Sequence, residues 1–239
     1  MTSPANINTA YRLIRDAMED AGLLQEGDEP SSEQNAKYLV RLYDLINFWQ
    51  IQYGLKLWLQ SDQSITLVAG TATYTLMPGG DVDITRPLRA PQGYYLDTSG
   101  NRRPIYPISR EEYTRLPNTT TQGAINQYFV DKQYDRLSVS FWNVPNASEA
   151  TGTAHLIIQR QMTNPISLTE NLELPPEWML AYRWGLADDI CTGQPQAIMD
   201  RCAARALTYR TALEDWDVED ASTYVQPDAA SGNRTGAFR

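Results

Sequence analysis

His155 is the only histidine in the chain, so any Ser-His-Asp or Cys-His device would have to run through it. It lies in Thr153-Ala154-His155-Leu156-Ile157-Ile158, a run typical of a sheet interior, and no G-x-S-x-G elbow accompanies it. The expected role is a satisfied core or surface histidine. One histidine and two distant cysteines, Cys191 and Cys202, cannot close a zinc shell, and the cysteines are expected to be reduced and packed in a core. The tightest carboxylate pairs are Asp81-Val82-Asp83 and Asp188-Asp189, and neither continues into the D-x-D-x-D-G loop that wraps calcium. Glycoside hydrolysis needs two carboxylates at a set separation, a convergence that nothing in the spacing supplies. Phosphate cradles of the G-x-x-x-x-G-K-S/T or G-x-G-x-x-G type are absent, and Pro78-Gly79-Gly80 reads as a turn. The expectation is a protein that is not an enzyme and holds no cofactor or metal.

The elements that would carry these residues change period along the chain. Ile7, Ala10, Ile14, Ala17, Met18 and Ala21 fall on one helical face, with Gly22 as the stop. Ser31-Ser32-Glu33-Gln34 then offers a capping box before a second helix whose face is Tyr38, Leu39, Leu42, Leu45, Ile46 and Trp49. From residue 64 to about 161 the period becomes two. Strands are expected over 64–68, 73–76, 82–85, 90–96, 103–106, 125–130, 137–142 and 153–161, between turns such as Thr98-Ser99-Gly100-Asn101. Many short strands at this spacing suggest an antiparallel sandwich or small barrel. Leu174-Pro175-Pro176-Glu177-Trp178 announces a further helix, because proline suits a first turn and a carboxylate suits the helix dipole. A last helix over 196–216 presents Ile198, Cys202, Ala206, Tyr209, Leu213 and Trp216 on one face, a pattern that ordinary helix packing explains.

The predicted fold class is α+β. A helical platform built from N-terminal helices (1–60) and C-terminal helices (171–218) carries a central antiparallel β-sandwich or small barrel (61–170). Residues 219–239, rich in Ala, Ser, Thr, Gly and Asn, read as a flexible C-terminal arm with Tyr224, Val225 and Phe238 as its apolar holds. At 239 residues, 42% hydrophobic and 21% charged, the chain can bury a helical core and a β core but has no apolar run near the ~20 residues of a membrane span. No secretory signal is visible, which suggests synthesis in a cytoplasm. A formal charge of -9 opposes tight nucleic-acid binding, and the 14 tyrosines lack the basic neighbours of a base-stacking platform. Tyrosine in that setting fits protein contacts better.

Five segments in order resemble the head-to-tail adaptor proteins of short-tailed bacteriophages, the tail tubular protein A-like family of podoviruses. They are Leu67-Val68-Ala69-Gly70-Thr71-Ala72-Thr73-Tyr74-Thr75-Leu76, Pro104-Ile105-Tyr106-Pro107-Ile108-Ser109-Arg110-Glu111-Glu112-Tyr113 and Gly123-Ala124-Ile125-Asn126-Gln127-Tyr128-Phe129. Leu137-Ser138-Val139-Ser140-Phe141-Trp142-Asn143-Val144-Pro145 and Leu172-Glu173-Leu174-Pro175-Pro176-Glu177-Trp178 complete the set, and the likeness spans about residues 6–220. The resemblance implies a structural virion protein at the head-tail junction, made in the host cytoplasm. It implies a ring, commonly of twelve copies, beneath the portal protein, extending the DNA channel, helping to retain packaged DNA and receiving tail nozzle and tail fibre or tailspike proteins. Double-stranded DNA would pass through the ring without sequence-specific binding, past acidic walls that leave it mobile. Partner contacts are expected at Tyr209, Leu213 and Trp216 of the last helix and at Tyr224, Val225 and Phe238 of the arm. The competing expectation is a carbohydrate-active or glycan-binding β-domain protein with the helices as scaffold.

Overall fold

The computed structural model describes residues 8–52, 57–163 and 167–217. Helix α1 (Ala10–Asp20) starts at Thr9, whose hydroxyl accepts from the Arg12 amide at 3.4 Å, and buries Leu13, Ile14, Ala17 and Met18. Gly22 ends it at φ 71°, a left-handed conformation that glycine adopts without penalty. The capping box of α2 (Ser32–Gln52) is formed: the Gln34 amide donates to Ser31 Oγ at 3.2 Å, and the Ser31 amide donates to Gln34 Oε1 at 2.8 Å. A second box, Ser109 with Glu112, starts the short α3 (Arg110–Thr114) inside the β region. Pro176 stands in the first turn of α4 (Pro176–Ile190), and a turn through Gly193 leads into α5 (Gln196–Trp216).

Helix α4 is the centre of the helical part. It buries Trp178, Ala181, Tyr182, Trp184, Leu186 and Ile190, and α1, α2 and α5 all pack on it. Trp178 lies 5.0 Å from Trp58 and 6.3 Å from Tyr182, and Tyr182 lies 4.8 Å from Trp49 (ring centroids). Each such ring contact adds ~0.5–1.5 kcal/mol to what burial of the ring contributes. Gly185 permits the close approach of α2, since a Cβ there would sit 2.6 Å from the Trp49 ring. Met162, Leu172 and Leu174 complete this core from the segment between the last strand and α4.

The β part is an eight-stranded mixed sheet. Its strands are β1 (Gln60–Thr66), β2 (Thr73–Met77), β3 (Val82–Asp83), β4 (Arg89–Leu96), β5 (Arg102–Ile108), β7 (Gln127–Lys132), β8 (Leu137–Trp142) and β10 (Thr153–Gln159). They neighbour one another in the order β1-β10-β4-β5-β7-β8-β2-β3, while β6 (Gln122–Gly123) and β9 (Val144–Pro145) pair separately. Strands β1 and β3, at the two ends, touch, so the sheet curls into a near-barrel around Leu76, Ile105, Tyr128, Val139, Phe141 and Leu156. The α+β class stands as expected, and the wholly antiparallel sheet does not. Pairs β5–β7 and β2–β3 are parallel. The connection from β5 passes through α3 and the loop before β7, long enough to return in the same direction. At β2–β3 the Asp81 carboxylate accepts from the Thr75 amide and hydroxyl, both at 2.7 Å, and folds the chain back on itself. Strand β1 starts at Gln60 rather than 64, because a strand at the end of the sheet can keep Gln60, Ser61 and Gln63 polar and still pair fully with β10.

Two glutamines join the helical and β parts. Gln50, 2% exposed, ends α2 with its carbonyl accepting from Gln159 Nε2 at 2.9 Å and its Oε1 accepting from the Met162 amide at 2.9 Å. Gln159, fully buried, also accepts from the Leu88 amide through its own carbonyl at 2.8 Å. Beside them the Arg160 amide donates to the Leu59 carbonyl at 2.9 Å, and the Arg160 guanidinium pairs with Glu173 at 2.5 Å.

Glu173 ties the chain after β10 to the entry of α4, and its carboxyl is held down to about 2, first by the hydrogen bond from Arg160 and then by that from the Thr163 amide. A depressed carboxyl stabilises the fold above the unfolded value near 4.5 and loses that contribution as pH falls through about 2. With Arg160 and Glu173 side chains 36% and 35% exposed, solvent screening cuts the contribution to about 1 kcal/mol. Glu173→Gln should therefore lower unfolding free energy by about 1 kcal/mol at pH 7, and the gap to wild type should close on acidification. Urea titrations across that range measure it, and a gap independent of pH would contradict the assignment.

Candidate interaction surfaces

The groups that could do chemistry are occupied by structure. On the outer face of β10, His155 Nδ1 lies 3.0 Å from Asp62 Oδ1 and Nε2 lies 3.1 Å from Thr153 Oγ1. The order Thr-His-Asp is that of a nucleophile relay. Its surroundings are not, because Thr153 is paired with both Thr66 and Leu96 in the sheet ladder. Backbone donors committed in that way are unavailable as an oxyanion hole. Tyr94 stacks on His155 at 4.7 Å, donates its hydroxyl to Asp62 at 2.5 Å and carries the Arg102 guanidinium 4.6 Å over its ring. Together these side chains clamp β1, β10 and β4 across their exposed face. The histidine is half-buried and satisfied.

The carboxylate pairs have separate structural uses. Asp81 folds the β2–β3 turn, and the bonds from Thr75 hold its carboxyl below the usual range. Asp83 accepts from the Gly79 amide at 2.8 Å in the same turn. At the end of α4, Asp189 accepts from Arg41 of α2 at 3.2 Å, and burial pushes the neighbouring Asp188 carboxyl up. Cys191 and Cys202 are buried free thiols, and burial pushes Cys202 up to about 11. Among the described residues no group of three or more His, Cys, Asp or Glu side chains could hold a metal ion, and no helix is long and apolar enough to cross a membrane.

Exposed apolar surface is the other resource, and it gathers on the helical part. Val40, Tyr43, Phe48 and Ile51 stand on the outward side of α2, at 60%, 43%, 51% and 49% exposure. Leu180 of α4 and Leu207 and Trp216 of α5 are also exposed. Of the partner residues expected from sequence, Trp216 is 63% exposed, whereas Tyr209 and Leu213 are half-buried and pack on the helical core. The amphipathic face of α5 is thus largely turned inward, as its spacing alone implied. Tyr224, Val225 and Phe238, with the rest of the arm, lie outside the described residues. The outward face of α2 was missed because the stripe opposite it accounted for helix packing. Four large apolar residues left over from that stripe were the available signal.

A groove of about 260 Å³ runs between α1 and α4, with Leu13, Pro176, Met179 and Leu180 on its walls and Arg12, Asp16 and Arg183 at its rim. The arginines are partnered, since Arg12 pairs with Asp16 at 3.6 Å and Arg183 with Asp20.

A family model described as SU10 adaptor protein matches residues 8–232, nearly the whole chain. No curated protein matches it.

A clamp at Asp62, His155 and Tyr94 makes a specific expectation. His155→Gln should change stability by less than about 1 kcal/mol, as for other exposed polar pairs, and should not alter turnover of an activated ester above the solvent rate. Thermal melts and an ester assay measure the two. A wild-type rate that the substitution abolishes would restore the catalytic reading.

Proposed function

The chain belongs to the SU10 adaptor protein family of phage head-to-tail adaptors, and we propose that it acts as a non-enzymatic ring, of twelve copies, beneath the portal protein. The ring extends the DNA channel, helps retain the packaged genome and offers the platform on which tail nozzle and tail fibre or tailspike proteins assemble. The observation that carries this reading is where the apolar surface lies. Most of the large apolar side chains left exposed belong to α2, α4 and α5, the elements around the one helical core. Such a surface is costly on an isolated protein and is what association would cover. The β part, by contrast, exposes only scattered residues such as Val68, Tyr106 and Tyr134. It is suited to face other components one site at a time.

Charge supports a channel that does not grip. With 29 Asp and Glu against 20 Lys and Arg, the chain supplies little of the cation density that displaces counterions from a duplex. A wall that repels phosphate leaves DNA free to move during packaging and ejection. Residues 219–239 would act as an arm that orders on the portal, coupling attachment to folding.

Native mass spectrometry and electron-microscopic class averages, with and without the portal protein of the same phage, test the proposal. A closed ring in either sample is expected. Removal of residues 221–239 should leave the body folded and weaken portal attachment at least about tenfold, or ~1.4 kcal/mol. A monomer that ignores the portal would contradict the ring, and unchanged attachment of the shortened chain would contradict the role of the arm.

A further inference from the structure

The exposed face of α2 has a complement on the same chain. Arg41 meets Asp189 and Trp49 meets Tyr182, so α2 runs antiparallel to α4. Only a short turn separates α4 from α5 and Arg205 lies 4.9 Å over the Trp184 ring, so α5 also runs antiparallel to α4. Helices α2 and α5 are therefore parallel, on separate flanks of the helix between them, each with one side turned to solvent. These cross-contacts also set their levels, placing Lys37 within about a turn of Asp200 and Phe48 within about a turn of Thr211.

The two faces differ in shape, and a cation near the start of one helix answers an anion near the start of the other. The side of α2 turned outward bears the large residues Val40, Tyr43, Phe48 and Ile51, whereas that of α5 is low, with Ala197, Ala204, Thr208 and Thr211 exposed around Leu207. Lys37 forms no ion pair among the described residues, and neither does Asp200. From Lys37 to Phe48 is the same number of residues as from Asp200 to Thr211, so a match at one end is kept at the other. Unlike faces that fit each other are the requirement for head-to-tail association, which closes into a ring when the rotation allows.

We infer that the outward face of α2 is the seat for α5 of a second copy of this chain, with Lys37 against Asp200 and with Val40 and Phe48 over Ala204 and Thr211. This rests on the ring reading. Rotation about an axis along the helices brings the next copy's α5 to α2 with its direction and level unchanged. The pairing is heterologous, so each chain gives one face and receives the other, and assembly continues until the ring closes. Bulk on one side and small residues on the other let the helices approach closely over several turns.

Cysteine pairing and charge reversal test it on the full chain, alone and with the portal protein. A chain carrying both Val40→Cys and Ala204→Cys should give, under mild oxidant, a ladder of covalent oligomers, and neither single variant should do so. Lys37→Asp should raise the concentration needed for assembly about tenfold, by placing like charges together, and Lys37→Asp with Asp200→Lys should restore it to within about threefold. Far-ultraviolet circular dichroism confirms folding of every variant. A wild-type ring without the ladder, and indifferent to charge reversal, would overturn this pairing and leave the ring reading intact. Dimers from Val40→Cys alone would replace it with an α2-to-α2 contact. Wild type that stays monomeric with and without portal would overturn both.

Discussion

Two buried glutamines fix the relation on which the rest depends. Gln159 at the end of β10 donates to the carbonyl of Gln50 at the end of α2, whose side chain accepts from the Met162 amide, across the seam between the helical core and the near-barrel. Neither amide can be satisfied by water at these depths, so a seam that slid would leave buried groups unpaired, at ~1–3 kcal/mol each. That penalty gives the seam one register. The Arg89 guanidinium donates to the Ile51 carbonyl at 2.6 Å and extends the same seam to β4. The α2 face that ends at Ile51 is therefore carried at a set angle to the sheet.

From that seam the division of labour follows. Helix α4 is wrapped by α1, α2 and α5, and its indole and phenol rings fill the space between them. Little of α4 is left for solvent beyond Leu180 and the ends of the helix. Its neighbours each have one side to spare, and on α2 that side is apolar. The near-barrel closes over its own core, with Glu149 of the β8–β10 connection buried and accepting from Arg103 at 2.5 Å and from the Ile125 amide at 3.2 Å. A body built in this way exposes apolar side chains on its helical part and keeps its β part self-contained, in a chain of a phage head-to-tail adaptor family.

Local signals were the most legible in the sequence. The capping box of Ser31 with Gln34 forms, and Gly22 and Pro176 mark a helix end and a helix start where their chemistry requires. Relations between distant segments were not legible. Parallel pairing of β5 with β7 depends on the route of the α3 loop, and the clamp of Asp62, His155 and Tyr94 joins three strands far apart in the chain. Spacing put Tyr209, Leu213 and Trp216 on one stripe, but the stripe runs off the core before the helix ends, leaving only Trp216 exposed. On α2 the polar residues Lys37, Asp44 and Asn47, interleaved with Val40, Tyr43, Phe48 and Ile51, disguised a second apolar face.

Hydroxyl-radical footprinting of the free chain and of the portal-bound assembly tests most directly whether the helical part is what assembly covers. Tyr43 and Phe48 should lose most of their reactivity on assembly, while Tyr106 and Tyr134 of the β part keep theirs. Protection of Tyr106 and Tyr134 with Tyr43 and Phe48 unchanged would contradict it, placing the subunit and portal contacts on the sheet.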